Sequence, residues 1–159
     1  QLFMQNKFKK ALAQQHIKVE KILVKPTPFN TLFWSVTTRS PTNHLRFGYA
    51  RLWDSTDAIS FSAPYSQETH LLTPHQNHPD IPFLLSITNG FYIIAKNENN
   101  LIITDARYGP FGGWNKSNQQ QFIFNYRLNT NTNQWDQYRS TNINMKNSLT
   151  DLFQHIFKK

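Results

Sequence analysis

Thr31-Leu-Phe-Trp-Ser-Val-Thr-Thr38, then Ser40-Pro-Thr-Asn43, then His44-Leu-Arg-Phe-Gly-Tyr-Ala-Arg-Leu-Trp53 follow one another near the start of the chain, and their reading decides the fold. The first block is rich in β-branched and aromatic residues, which suit a pleated, half-buried surface. The second is a turn cluster of Ser, Pro and Asn. The third alternates, with Leu45, Phe47, Tyr49 and Arg51 on one side and His44, Arg46, Gly48, Ala50 and Leu52 on the other. A strand, a short turn and a second strand make an antiparallel pair, because parallel neighbours need a long crossover.

Upstream, Lys18 to Val24 reads as another strand, and Pro26-Thr-Pro28 ends its ladder because proline donates no hydrogen bond. Residues 2–17 place Met4, Phe8 and Leu12 at helical spacing, with Ala11 beside them and Lys7, Lys9, Lys10, Gln14 and Gln15 mostly on the polar side. This predicts a leading helix packed on the domain, whose basic face also suits an acidic lipid surface. Downstream, Ile59, Phe61 and Ala63 alternate as a third short strand. Residues 64–82 hold Pro64, Pro74, Pro79 and Pro82 and read as one long loop. Residues 81–89, with Ile81, Phe83, Leu84, Leu85 and Ile87, suit a short helix or a buried strand, and the Asn89-Gly90 stop favours the helix. A hairpin over 91–96 and 101–106, a strand over 120–128, a loop at Asn129–Asn133 and a strand over 134–139 follow. The stripe Leu149, Leu152, Phe153, Ile156 and Phe157, capped by Asn147 or Ser148, predicts a final helix. The expectation is an α+β fold in a single domain over 1–159. It has a leading helix at 1–18, a β-rich body at 19–140 and a terminal helix at 147–158. The body holds about seven strands in one mainly antiparallel sheet, with both helices packed on it.

At 159 residues and 18.7 kDa the chain fits one domain. Aromatics make up 14%, which argues against disorder, since a disordered chain lacks the apolar area to offset its ordering entropy. There is no cysteine, which excludes disulfides, thiolate metal sites and a Cys nucleophile. No apolar run approaches the roughly 18 residues that cross a bilayer.

Lys plus Arg number 17 against 9 Asp plus Glu, a formal charge of +8. That balance, with aromatics and Arg interleaved on strands, suits a nucleic-acid module. Yet the lysines gather at the chain ends (Lys7, Lys9, Lys10, Lys18, Lys21 and Lys25, then Lys158 and Lys159), and no RNP-like motif is present. An anionic membrane surface uses such charge more simply.

His70, His75 and His78 share the long loop with Glu68 and Asp80, and these are metal-ligand types. The spacing H-x4-H-x2-H-x-D matches no recognised ligand pattern, so a solvated loop is the preferred reading and a metal site the weaker one. No G-x-S-x-G, H-E-x-x-H or phosphate-cradling G-x-x-x-x-G-K occurs. The two most distinctive segments are Pro26-Thr-Pro-Phe-Asn-Thr-Leu-Phe-Trp34 and Thr104-Asp-Ala-Arg-Tyr-Gly109. In the first, Asn30 suits a turn that must satisfy freed backbone groups. In the second, Asp105 and Arg107 fall on one face of a strand end, where they pair to fix a turn or bind a polar group together.

These segments, with Gly48-Tyr-Ala-Arg-Leu-Trp-Asp54 and Gly90-Phe-Tyr92 between them, resemble the C-terminal aqueous region of the membrane-bound metal-dependent hydrolases, which include LexA-regulated inner-membrane members. The resemblance covers about residues 19–128 in four separated blocks; Arg51 and Trp53 stretch the second. It implies that the catalytic metal is held by His and Asp motifs in a preceding bundle of transmembrane helices. This chain would then be the fragment following the last span, with no cofactor of its own and a divalent metal in the membrane portion. It further implies an inner-membrane protein with this domain on an aqueous face, and the early lysines favour the cytoplasmic side. The family's metal-site histidines do not map onto His70, His75 or His78.

The expected function is an accessory, binding or regulatory module of such a hydrolase. A self-contained hydrolase with its own pocket, or a basic nucleic-acid-binding module, are the alternatives. The expected site is the face bearing Asp105, Arg107 and Tyr108, with Asn30, Trp34 and Asp54 adjoining. There Arg107 would hold a small anionic or polar ligand, Asp105 would orient Arg107, and the aromatics would supply apolar contact.

Overall fold

A computed structural model describes residues 1–27, 31–115 and 121–138, together with 150, 152, 154, 156 and 157. The central hairpin forms as its sequence requires. Strand β1 is Lys21–Pro26, β2 is Phe33–Arg39 and β3 is His44–Arg51, each antiparallel to the next. Asn43 closes the β2–β3 turn with φ of 55°, a left-handed conformation that Asn tolerates. Helix α1, Leu2–Gln14, precedes the strands. It stops short of the expected residue 17 because His16 turns left-handed (φ 55°) and the Ile17 amide folds back to donate to the Leu12 carbonyl.

Among the described residues the expected single sheet of about seven strands is instead two four-stranded antiparallel sheets. The first runs β1-β2-β3-β4, where β4 is only Tyr65–Ser66 and pairs with His44 and Leu45. So short an edge cannot seed a further ladder. The chain begins again with β5 (Tyr92–Asn97), β6 (Asn100–Asp105), β7 (Asn125–Asn129) and β8 (Gln134–Tyr138), paired in that order. The expected strand at Ile59–Ala63 is not one. Phe61 makes a lone bridge to Gly48, and Ile59 is buried beside α1. Its alternation reflects packing rather than a ladder. The expected loop at 64–82 likewise contains β4, a 3-10 helix at Thr69–His75 and the start of helix α2, Asp80–Ile87. The short helix read over 81–89 is therefore present, and Asn89 (φ 50°) and Gly90 (φ 80°) end it as read.

The first sheet is covered on both faces. On one, Met4, Phe8 and Ala11 of α1 pack on Val24, Trp34, Val36 and Ala50. Phe8 is wholly buried; a side chain of this size contributes about 1.5–3 kcal/mol by leaving water. On the other face, Leu45 and Phe47 meet Phe91 and Ala106, with Tyr65 and Phe122 against them. The second sheet packs Ile94, Leu101, Ile103 and Leu128 on Leu72, Ile81 and Leu84, so α2 and the 3-10 turn serve as its cover. In the terminal segment, residues 150, 152, 154, 156 and 157 are helical, and Leu152 and Ile156 pack on Phe33. The expected caps Asn147 and Ser148 lie outside the described residues.

Gln67 ties the two sheets. The NH2 group of its buried side chain donates to the Gly90 carbonyl at 3.0 Å and the Tyr92 carbonyl at 2.8 Å, and its backbone carbonyl accepts the Ile94 amide at 3.3 Å. Replacing Gln67 by Leu leaves two half-buried carbonyls without their donor, at roughly 1–3 kcal/mol in total. Urea unfolding of Gln67→Leu is expected to show a lower midpoint with an unchanged slope. An unchanged midpoint would remove this tie from the account.

Candidate functional site

The turn after β6 is built on the Asp105 carboxylate. Asp105 is buried, and its Oδ1 accepts from the Arg107 backbone N–H and from Arg107 Nε, each at 3.0 Å. Arg107 Nη2 donates to Oδ2 at 2.7 Å. The hydrogen bonds to Asp105 push the Arg107 guanidinium above its ordinary value, ahead of an opposing burial effect. Within this turn the Ala106 N–H donates to the Phe91 carbonyl (3.0 Å), and the Ala106 carbonyl accepts from Thr37 Oγ1 (3.4 Å). Gly109 follows with φ of +68°, a conformation open to glycine, and a Cβ there would stand 2.9 Å from the Tyr49 hydroxyl.

That close approach sets the next contact. Tyr49 of β3 donates its O–H to the Pro110 carbonyl at 3.0 Å. A Cβ on Gly113 would lie 2.5 Å from the same hydroxyl. The glycine-rich run Gly109–Gly113 is thus the segment whose backbone can lie against Tyr49. It brings Trp114 edge-on to Phe33, Tyr49 and Phe111.

Between this loop and β2–β3 lies a cavity of about 280 Å³. Its aromatic walls are Phe33, Phe47, Tyr49, Phe61 and Trp114, and Ser60, Ser62, Arg51 and Asp54 supply the polar groups. Arg51 donates from its backbone N–H to Asp54 Oδ2 (2.7 Å) and from Nε to Oδ1 (2.8 Å), so the guanidinium and carboxylate stand as one oriented pair. Trp114 Nε1 is buried and finds no acceptor among the described residues. An aromatic cavity with a few oriented polar groups is the usual form of a small-molecule site.

The site residues expected from sequence are distributed as follows. Asp105, Arg107 and Tyr108 do come together, and Lys25 Nζ stands 4.1 Å from the Tyr108 ring centroid. They form the brace behind the cavity loop and do not line the cavity. Asp54 does line it. Trp34 lies on the α1 side of the first sheet, its Nε1 donating to the Thr31 carbonyl at 2.8 Å. Asn30 lies outside the described residues.

The three loop histidines do not converge. His70 is exposed beside Glu68 at 3.4 Å, and His78 is packed edge-on against Trp135, whose Nε1 donates to His78 Nδ1 at 3.0 Å. His75 ends the 3-10 helix Thr69–His75. Among the described residues no three His, Asp or Glu side chains gather to hold a metal ion. No helix among them is long and apolar enough to cross a membrane. Arg51, Tyr49, Phe61 and Trp114 were missed as site residues. The glycine-rich run placed just before a tryptophan was a signal for Trp114, and the i, i+3 spacing to Asp54 was one for Arg51. No protein-family model, curated protein or solved structure matches the chain.

Tyr49 gives the site a pH signature. Burial pushes its phenol well above the ordinary value of 10.0, and nearby Tyr65 adds to the rise. A group raised in the folded state contributes stability that is fully present below the unfolded value and is lost as pH rises past it. Stability of the wild-type chain is therefore expected to fall as pH climbs beyond about 10. Tyr49→Phe should cost about 1–3 kcal/mol at neutral pH, by stranding the Pro110 carbonyl, and should fall less steeply in alkali. Denaturant melts at pH 8 and pH 11, conditions on either side of that value, check this; parallel declines for both proteins would contradict it. Gly109→Ala should destabilise at neutral pH, by about 1–2 kcal/mol for the left-handed conformation alone.

Proposed function

We propose that this chain is the water-facing domain of a membrane-bound metal-dependent hydrolase, of the kind its sequence blocks resemble, and that it serves as a ligand-recognition module. The observation that carries this reading is spatial. The four blocks are spread from Pro26 to Gly109, yet they brace or line one cavity. Phe33 and Tyr49 form its walls. The Phe91 carbonyl anchors the Ala106 amide, and Asp105 with Gly109 steers the chain onto Tyr49. Residue types held in common for catalysis would be expected to converge as acids, bases or ligands. These converge as a scaffold around an aromatic pocket.

The cavity's chemistry favours a ligand with a flat or ring-shaped apolar part and an anionic or polar group. The aromatic walls take the first and the Arg51–Asp54 pair takes the second. Hydrolysis belongs, in this reading, to the metal-bearing membrane portion of the parent protein, with this domain on the cytoplasmic side that its basic flanking residues favour.

The test is an indole and guanidinium NMR titration of the chain with phenyl phosphate and, separately, with inorganic phosphate. A saturable shift of the Trp114 indole with phenyl phosphate is expected. Arg51→Met should weaken it about 10–100-fold, the range for one charge-assisted contact. No saturable shift with either probe, or turnover of a phosphate ester by the chain alone with added zinc, would overturn the module reading.

A further inference from the structure

Four large apolar side chains stand out of the surface at one end of α1. Leu2 is 75% exposed, Phe3 62%, Leu52 41% and Trp53 55%. They are far apart in sequence but share one organiser. Lys7 Nζ donates to the Leu52 carbonyl at 2.6 Å and the Asp54 carbonyl at 2.7 Å, and it sits 5.2 Å from the Phe3 ring centroid. One ammonium thus holds the Leu52–Trp53 tip beside the start of the helix. The Arg51 guanidinium lies 6.0 Å from the Trp53 ring centroid.

The charges around this tip are mixed but basic in balance. Lys7 and Arg51 stand at the tip, the Asp54 carboxylate is taken by Arg51, and Asp57 follows in the short 3-10 helix Thr56–Ala58. Lys9 and Lys10 are exposed on α1. A Trp and a Phe flanked by Lys and Arg is the composition that settles at a membrane–water interface, where the ring lies at headgroup level and the cations meet lipid phosphate. A second copy of the chain suits the patch less well, since each copy carries +8 and like charges would be brought together.

We infer that the Leu2-Phe3 and Leu52-Trp53 tip is a docking face for an anionic lipid bilayer, inserting its apolar side chains among the headgroups while Lys7, Lys9 and Lys10 neutralise lipid phosphate. Arg51 and Asp54 also line the cavity, so the docked face sets the cavity beside the lipid surface. The inference draws on exposed side chains and their charges alone, and it stands or fails apart from the identity of the cavity's ligand.

The test is flotation of the chain with phosphatidylcholine vesicles that contain or lack phosphatidylglycerol. Wild type should float with the anionic vesicles and stay behind with the neutral ones. The double variant Phe3→Ser, Trp53→Ser removes only exposed apolar groups, and an unchanged circular dichroism spectrum and melting curve establish its fold. It should bind anionic vesicles about tenfold more weakly or worse, and Lys9→Gln, Lys10→Gln should also weaken binding. Three results would each overturn the inference. They are failure of the wild type to float, flotation of the double variant as complete as the wild type's because net charge alone suffices, and a wild-type dimer in sedimentation that the double variant abolishes.

Discussion

The Asp105 carboxylate, buried at the end of a strand, has its charge answered within two residues by Arg107. A carboxylate taken out of water must be hydrogen-bonded and paired or it is strongly destabilising. Here that requirement fixes a backbone. Because Oδ1 holds the Arg107 amide as well as its side chain, the chain cannot run straight on from the second sheet. It bends where the Ala106 amide reaches Phe91 and the Ala106 carbonyl reaches Thr37 on the first sheet. The bend then aims Gly109 and Pro110 at Tyr49, and a loop is delivered that walls the aromatic cavity.

The core explains why this arrangement needs two sheets. The β2–β3 pair carries apolar side chains on both faces: Val36 and Ala50 look to α1, and Leu45 and Phe47 look to Phe91 and Ala106. A central strand pair with two buried faces must be covered twice. The helix supplies one cover. The segment from Phe91 through Ala106, with Phe122, supplies the other, and it is held at that distance by Gln67 and by the Asp105 turn. The cavity is the part of this second interface that the 110–114 loop encloses without filling.

Much of this was legible in the sequence. The β2–β3 pair, the helical period of Met4, Phe8 and Leu12, the Asn89-Gly90 stop and the polar hairpin loops all follow from local chemistry, and local chemistry sufficed for them. The division into two sheets was not legible, because alternation says that a residue has two faces but not which strand it pairs with. Ile59, Phe61 and Ala63 alternate for that reason without forming a ladder. Asp105 and Arg107 were correctly read as partners, but whether such a pair faces a ligand or the back of a loop depends on long-range contacts such as Tyr49 to Pro110. Arg51 carried a hint in its spacing from Asp54, three residues on, yet only the fold puts that pair opposite Trp114.

The central claim is that the Asp105 turn positions the cavity wall rather than touching a ligand. Amide hydrogen exchange of Asp105→Ala against wild type tests it most directly. The account predicts lost protection at Ala106, Gly109 and Gly113, with the amides of α1 and of β1–β2 protected as before. Protection kept at Gly109 and Gly113 in the variant would contradict it, because the loop would then hold its place without the carboxylate.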